Sequence, residues 1–356
     1  MALDAQMIVQ HLLDWYTTHY RPLPWRNEPL PYHVWVSEIM LQQTRIEAVL
    51  PYYRRFIDAL PTVDELAAAP SELLLKLWEG LGYYSRVRNM QKAAQLMVDR
   101  YGGELPADYD MLLMLPGIGA YTAGAVASIA YDIPVPAVDG NVMRVLARLT
   151  ADQTDVLSNE GKKKFTALAW ELVPEHQPGR FNQALMELGE TVCVPNGDPR
   201  CEVCPLRGEC EAYRLGVAAS LPVRIKKTKR RIENRQVALV RVDGQPPTVL
   251  LHRRPDKGLL AGLWEIPNTL SSDPLESLPE VWRKRCAKVK ELPAAKHLFS
   301  HIEWRMNGAL YVCGGMDVLP PDFALADYSA LQTAFPLPSA FRAYADMIPR
   351  LLSEES

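Results

Sequence analysis

The 356-residue sequence has no apolar run of the roughly 18 residues that a membrane span requires. Its most apolar stretch, Ala123 to Val138, is interrupted by Asp132 and two prolines. The opening segment, MALDAQMIVQ, lacks the basic start and apolar core of a secretion signal, so the chain is expected to remain in the cytoplasm and away from membranes. Cysteine is scarce, six residues, far below the density of a disulfide-stapled scaffold. No internal repeat or low-complexity tract is present. Neither sign of charge dominates: 39 basic against 42 acidic residues leave a net charge of −3, which neither announces nor excludes a nucleic-acid partner. What is present is ordinary globular material, 48% hydrophobic and 23% charged, long enough for two domains.

The first part of the chain repeats apolar residues at spacings of three and four, cut by proline and glycine. This predicts an all-helical domain over 1–220, with helices at Met7–Tyr20, Tyr32–Leu50, Ser71–Leu81, Asn89–Tyr101 and Thr122–Tyr131. Residues 221–235 read as a basic linker, with Arg224, Lys226, Lys227, Lys229, Arg230, Arg231 and Arg235 against the single acid Glu233. From 236 to 356, short strand-like runs such as Val237–Val242, Thr248–Leu251 and Ala309–Val312, with the turn signal Asp243-Gly244, predict a mixed α/β domain. The expected fold class is therefore multidomain, α followed by α/β.

Four sequence features carry chemistry. The first is Leu115-Pro116-Gly117-Ile118-Gly119-Ala120-Tyr121-Thr122, within a helical hairpin expected at about 109–131. Gly117 and Gly119 let backbone amides approach a phosphate, although a plain turn between packed helices also wants glycine. The second is Val138-Asp139-Gly140-Asn141, where an acid precedes a new helix and on spacing alone is favoured as its N-cap. The third is Trp35 to Thr44, WVSEIMLQQT, in which Glu38 lies among large apolar side chains. Burial there raises a carboxyl pKa and makes a proton donor near neutral pH; partial exposure would leave an ordinary solvated carboxylate. The Gln-Gln-Thr triplet is an unusual polar cluster for a helix end and suits nucleic-acid contacts. The fourth is Cys193-x7-Cys201-x2-Cys204-x5-Cys210, a four-thiolate metal site in a reducing compartment, with Arg200 and Arg207 expected to place positive charge beside it. Spacing does not distinguish zinc from an iron-sulfur cluster. Cys286 and Cys313 stand apart as isolated residues.

In combination, from about Leu13 to Cys210, these features resemble the endonuclease III superfamily of DNA glycosylases. The resemblance implies a helix-hairpin-helix at the glycine turn, a catalytic role for Asp139, and a 4Fe-4S cluster on Cys193, Cys201, Cys204 and Cys210. The superfamily's usual spacing is C-x6-C-x2-C-x5-C, so the loop here has one additional residue, a change that costs little loop entropy. One branch carries a lysine immediately before the threonine of the glycine turn, where it forms a Schiff base and cleaves the strand. Tyr121 occupies that position here, and a phenol cannot form the adduct. With WVSEIMLQQT and Gly80-Leu81-Gly82-Tyr83-Tyr84-Ser85-Arg86, the chain is similar to the MutY type of adenine DNA glycosylases, which are monofunctional.

That resemblance implies a C-terminal domain related to Nudix hydrolases that recognises 8-oxoguanine opposite the target adenine. Gly258 to Pro267 is similar to the start of the Nudix signature, but Asn268-Thr269-Leu270-Ser271-Ser272 follows in place of the magnesium-holding glutamates, so nucleotide hydrolysis is not expected. Phe299-Ser300-His301 matches the 8-oxoguanine reading loop. The implied substrate is double-stranded DNA with adenine opposite 8-oxoguanine or guanine, bound by a monomer. The implied roles are Glu38 as general acid, Asp139 as stabiliser or nucleophile for the oxocarbenium-like sugar, and Tyr121 and Asn141 as positioning groups. Trp25, Arg26 and Gln183 match adenine-contacting positions, although Arg26 also suits a structural ion pair. Gln43 and Tyr83 match residues that enter the base stack, supported by Thr44 and Leu81, with core packing as the alternative for Leu81 and Tyr83.

Overall fold

The computed structural model describes residues 4–225, 230–315 and 318–353. Lys226, Lys227 and Lys229 of the expected linker, and the first three residues, lie outside the described residues. Contacts divide the chain into two compact units, Met1–Ala68 with Asn89–Lys227, and Ala69–Arg88 with Thr228–Ser356. The sequence pattern placed residues 69–88 in the helical domain; by contacts they group with the C-terminal half. Among the described residues no helix is long and apolar enough to cross a membrane.

The first unit is helical, and its helices follow the apolar spacing. In Gly140–Leu149 the residues Val142, Val145, Leu146 and Leu149 are buried, and in Pro178–Thr191 so are Phe181, Ala184, Leu185 and Leu188. Both sets fall at i, i+3, i+4 and i+7, one face of a helix. They meet Ile8, Leu12 and Tyr16 of Ala5–His19 and Phe165, Ala169 and Leu172 of Asn159–Leu172 in one core. Proline at the first turn starts both Pro31–Leu41 and Pro178–Thr191, where its missing N–H costs nothing.

The single helix expected over Tyr32–Leu50 is two, Pro31–Leu41 and Ile46–Ala59. The break falls on the Gln-Gln-Thr cluster, where Gln43 takes a left-handed φ of 60°. The residues there are good enough helix formers that periodicity alone could not find the interruption.

The second unit holds all the strands among the described residues: β1 (Arg231–Val242), β2 (Thr248–Arg253), β3 (Trp264–Glu265), β4 (Asn268–Thr269), β5 (Cys286–Leu298), β6 (Ile302–Cys313) and β7 (Phe323–Ala326). The sheet order is β3-β2-β1-β6-β5, with β4 on β1 and β7 on β2. β1 and β6 run parallel from Arg231↔Ile302 to Val242↔Cys313, and the other pairs are antiparallel. It is a mixed sheet, packed on one face against Phe341, Tyr344 and Ile348 of the C-terminal helices.

Two expectations are corrected here. The basic linker does not extend to residue 235, because Arg231 already begins β1. Arg231 and Arg235 are ion-paired to Glu233 at 2.5 and 2.9 Å, and Arg235 lies 4.2 Å from the centre of the Trp304 ring. The charge run is partly strand surface. Nor are Cys286 and Cys313 isolated: they face each other in the β5–β6 register, 4.3 Å apart at Cα, and form a disulfide. A separation of 27 residues carries no sign of register, so the pairing was invisible in the sequence.

Close approach fixes the segment leading to Asp139. A Cβ on Gly124 would lie 2.2 Å from the Pro136 carbonyl oxygen, so helix Ala120–Tyr131 presses on this segment only because residue 124 is glycine. Gly124→Ala should destabilise the protein by roughly 1–3 kcal/mol, the usual range for overpacking. Thermal unfolding checks this; an unchanged midpoint would show that the contact relaxes freely.

Candidate active site

Within the helical unit, segments distant in sequence enclose a cavity of about 360 Å³. Its walls include Trp25 and Arg26, Glu38, Gln43 and Thr44, Tyr121, Asp139 and Asn141, and Gln183. All nine were singled out from the sequence, and the fold brings them together. Met186, Leu23, Val34, Leu41, Arg45, Ile46, Ile129 and Glu190 complete the lining and were missed. Met186 was accessible to pattern reasoning, since it lies three residues from Gln183 on one helix face.

Glu38 projects from Pro31–Leu41, a helix buried on nearly all sides. The residue is 5% exposed, and its carboxyl accepts a short hydrogen bond from the Tyr121 hydroxyl. Burial pushes its pKa up to about 7; the Tyr121 bond and the Arg26 charge oppose that, and neighbouring Asp139 adds to it. Burial, together with the two nearby carboxylates, raises the Tyr121 phenol well above its ordinary value, so it remains a neutral donor.

Asp139 is the N-cap of Gly140–Leu149, and it also lines the cavity. One carboxylate oxygen accepts from the amides of Asn141 and Val142, both at 2.8 Å, and the other accepts from Asn141 Nδ2 at 2.8 Å. Capping and site membership, alternatives in the sequence, are compatible in the structure. Burial raises its pKa, while the two backbone bonds, Arg144 and the Asn141 side chain pull it back.

Asn141 is held in turn. Its Oδ1 accepts from Arg144 Nη2 at 2.8 Å, and Arg144 Nε donates to the Cys193 carbonyl at 2.8 Å. A continuous path of hydrogen bonds thus runs from the cysteine loop to Asp139. Arg26 resolves in the same way as Asp139: it lines the cavity and also pairs with buried Glu187 at 2.9 Å, which Arg21 engages at 2.5 Å. Glu187, one position beyond Met186, was likewise missed.

The four clustered cysteines interact. Burial, with smaller contributions from the charges of Cys193, Cys210 and Cys201 and against the Leu206 amide, raises the Cys204 thiol to about 12, which shows the four sulfurs near one another. Ionising them together is unfavourable without a cation, the behaviour expected of a metal donor set. Among the described residues no group has the tight geometry that holds a single ion. Of the expected positive charges, Arg207 pairs with Glu202 at 3.0 Å. Buried Arg148 donates to Cys193 Sγ at 3.3 Å, and buried Arg144 holds the Cys193 carbonyl.

The hairpin Tyr109–Leu113, Gly117-Ile118-Gly119, Ala120–Tyr131 forms as expected. Gly117 has φ +80°, and a Cβ there would lie 2.7 Å from Asn89 Cβ. At Gly119, the N-cap of the second helix, φ is −96° and a Cβ would meet nothing within 4 Å. The protein itself therefore needs glycine at 117 but not at 119, where bare amides at a helix start suit an external anion.

The remaining residues lie in the other unit. Leu81 is buried, whereas Tyr83 is 48% exposed with a left-handed φ of 48°. The hydroxyl of Tyr83 is 2.7 Å from Ser300 Oγ, which joins two motifs 217 residues apart. Phe299-Ser300-His301 is the turn between β5 and β6; Phe299 packs on His297 and Trp304, and His301 is exposed. The Nudix-like glutamate, Glu265, is buried and bound to Arg254 at 2.7 Å and His252 at 3.2 Å.

Comparison with known proteins assigns a family to each half of the chain, with residues 69–88 falling in the first match. A family described as HhH-GPD superfamily base excision DNA repair protein matches residues 36–175, and one described as NUDIX domain matches residues 236–347. An adenine DNA glycosylase from Mus musculus is 38% identical over 84% of this chain and 69% of its own length. One from Buchnera aphidicola is 32% identical over 86% of each. The chain spans less than two thirds of the length of the Arabidopsis thaliana, rat and human relatives. The helical part is similar to the structure of a thermostable thymine-DNA glycosylase, with TM-score 0.54 and 28% identity over 59% of this chain and 97% of that one.

The buried Glu38 carboxyl has a measurable consequence for stability. It titrates near the ordinary 4.5 when unfolded and near 7 when folded, so its contribution is fully present below pH 4.5 and is lost as pH rises through 7. The unfolding free energy of Glu38→Gln should therefore gain on that of the unsubstituted protein as pH is raised across that window, by about 3 kcal/mol at the alkaline end. A difference independent of pH would mean that the carboxyl is hydrated.

Proposed function

The chain belongs to the adenine DNA glycosylase family, and on that premise we propose that it hydrolyses the N-glycosidic bond of adenine opposite 8-oxoguanine or guanine in double-stranded DNA, without cutting the strand. The observation that carries this reading is one buried cavity holding two carboxylates of different environment, with a phenol where strand cleavage would need an amine.

Reaching a base in the stack requires flipping it out. Gly117, Gly119 and the amides after them hold the phosphate backbone. Gln43 and Tyr83 enter the stack, with Thr44 and Leu81 beside them; the left-handed φ at both entering residues supports this role, since such strain persists mainly where function requires it. Trp25, Arg26 and Gln183 receive the adenine. Glu38, protonated up to about pH 7, gives its proton to a ring nitrogen of the base. The bonding pair then leaves with adenine as the C1′–N9 bond breaks. Asp139, whose carboxylate accepts from the amides of Asn141 and Val142, stabilises or captures the cationic sugar. Deprotonated Glu38 takes a proton from the attacking water, which leaves an abasic sugar and restores the acid.

Cys193, Cys201, Cys204 and Cys210 would hold a 4Fe-4S cluster. When bound, it supplies a fixed anionic body against Arg144 and Arg148 and tethers the loop. Phe299, Ser300 and His301 read the 8-oxoguanine by packing and hydrogen bonding. The second unit is a reader and not a nucleotide hydrolase, a view supported by Glu265 being fully engaged by Arg254 and His252.

Single-turnover adenine release from duplexes with 8-oxoguanine, guanine or thymine opposite A tests the reading. Release should be fastest opposite 8-oxoguanine, slower opposite guanine and absent opposite thymine, with strands broken only after alkali. The rate should decline as pH rises above about 7, where Glu38 loses its proton. Asp139→Asn keeps a good N-cap, so it should fold normally and lose at least about a hundredfold in rate, the scale of one lost electrostatic stabiliser. Normal turnover by that variant would remove Asp139 from the mechanism.

A further inference from the structure

Tyr16 lies in the core of the helical unit, 1% exposed, in line with Ile8 and Leu12 on the inward face of Ala5–His19. A phenylalanine would fill the same space. The hydroxyl donates to Gln183 Oε1 at 2.7 Å, across 167 residues of sequence. Gln183 lines the base pocket and also a second cavity of about 470 Å³, which Tyr16, Thr17 and Arg180 share. Gln183 thus borders both cavities, and Tyr16, which holds it, lines only the second.

The direction of this hydrogen bond is set by charge. The guanidinium groups of Arg26 and Arg180 lie 5.9 and 6.0 Å from the centre of the Tyr16 ring. Arg26 is tied to Glu187 and Arg180 to the Thr17 hydroxyl at 3.1 Å, and a guanidinium only donates. If the Gln183 amide were reversed, the phenol would accept from its NH2 and turn its own proton toward these cations. The neutral phenol therefore donates, a state that burial secures by raising its pKa to about 12. The carbonyl arm of Gln183 is held by Tyr16, and the NH2 arm is left for the base pocket.

We propose that Tyr16 is a positioning residue for base specificity: by fixing the Gln183 amide, it presents an N–H donor to the flipped base and so favours adenine over purines whose hydrogen-bonding pattern is reversed. This rests on the adenine-excision reading above. Hypoxanthine is the informative comparison. Along the same edge it offers an acceptor where adenine has its amino donor, and an N–H where adenine has an acceptor nitrogen. A fixed amide matches one pattern; an amide free to rotate matches both. A core hydroxyl thereby acts on selectivity without touching the base.

The test compares single-turnover release of adenine and hypoxanthine, each opposite 8-oxoguanine, by the full chain and by Tyr16→Phe, Gln183→Ala and the double variant. Tyr16→Phe should slow adenine release about tenfold, the value of one hydrogen bond, and leave hypoxanthine release as fast or faster. The adenine-to-hypoxanthine ratio should then fall by about the same factor. In the Gln183→Ala background, adding Tyr16→Phe should change nothing beyond about twofold, as expected when two residues act through one contact. Equal slowing for both bases would assign Tyr16 to packing alone and overturn the proposal, as would an unchanged ratio or an undiminished effect in the Gln183→Ala background. Thermal unfolding of Tyr16→Phe reports whether the core is intact. If the unsubstituted chain releases no adenine, the excision reading itself fails and takes this inference with it; if it does release adenine while Tyr16→Phe keeps the ratio, only this inference fails.

Discussion

The helical unit is organised around two carboxyl groups that share one cavity but are held by different hydrogen-bond partners. Placed together and shielded from water, Glu38 and Asp139 repel, and each is raised by burial. The fold separates them by their partners. Glu38 receives one bond, from a phenol, and holds its proton to about pH 7. Asp139 receives two backbone amides at the start of a helix and a side-chain amide, bonds that favour the anion. Pro31–Leu41 is buried nearly all round so that Glu38 stays dry, and Gly124 is bare so that the strand of chain before Asp139 can come close.

The same constraint explains the supporting residues. Three polar groups of the lining are themselves held by partners outside it: Asn141 by Arg144, Arg26 by Glu187, Gln183 by Tyr16. A loose amide or guanidinium could rotate to neutralise whichever acid it met and erase the difference between them. The cysteine loop enters this scheme through the Cys193 carbonyl, which anchors Arg144 and hence Asn141.

Much of this was legible in the sequence because it depends on local spacing. Helical periodicity, the Asp139 cap, the glycine turn and the cysteine intervals are properties of short windows, and the structure contains the corresponding elements. What was hidden depends on contacts between distant segments. The break at Gln43 is a backbone choice that nothing in its neighbours dictates; the Cys286–Cys313 pair needs the β5–β6 register; and Arg148, which faces Cys193, lies 45 residues before it. Arg231 and Arg235 were assigned to the linker because a charge run looks the same in solution and on a strand, and only Glu233 and Trp304 distinguish the two. Grouping of residues 69–88 with the C-terminal half is likewise a matter of packing: Tyr83 meets Ser300 although the sequence gives no reason to associate them.

The β5–β6 hairpin has a mechanical implication. Its turn, Phe299 to His301, stands at one end of two strands 13 and 12 residues long, and the Cys286–Cys313 bond clamps the other end. At about 3.3 Å per residue the ladder extends on the order of 40 Å. The ladder is not free between its two ends: β6 pairs with β1 along its whole length, and the Arg231 amide and Arg230 Nε donate to the His301 and Phe299 carbonyls at 3.0 and 2.9 Å. The register shifts at Lys288/Lys290 and Leu292/Ala295 are its compliant points. The position of the turn is therefore governed as much by the stiffness of the ladder behind it as by the three residues that form it.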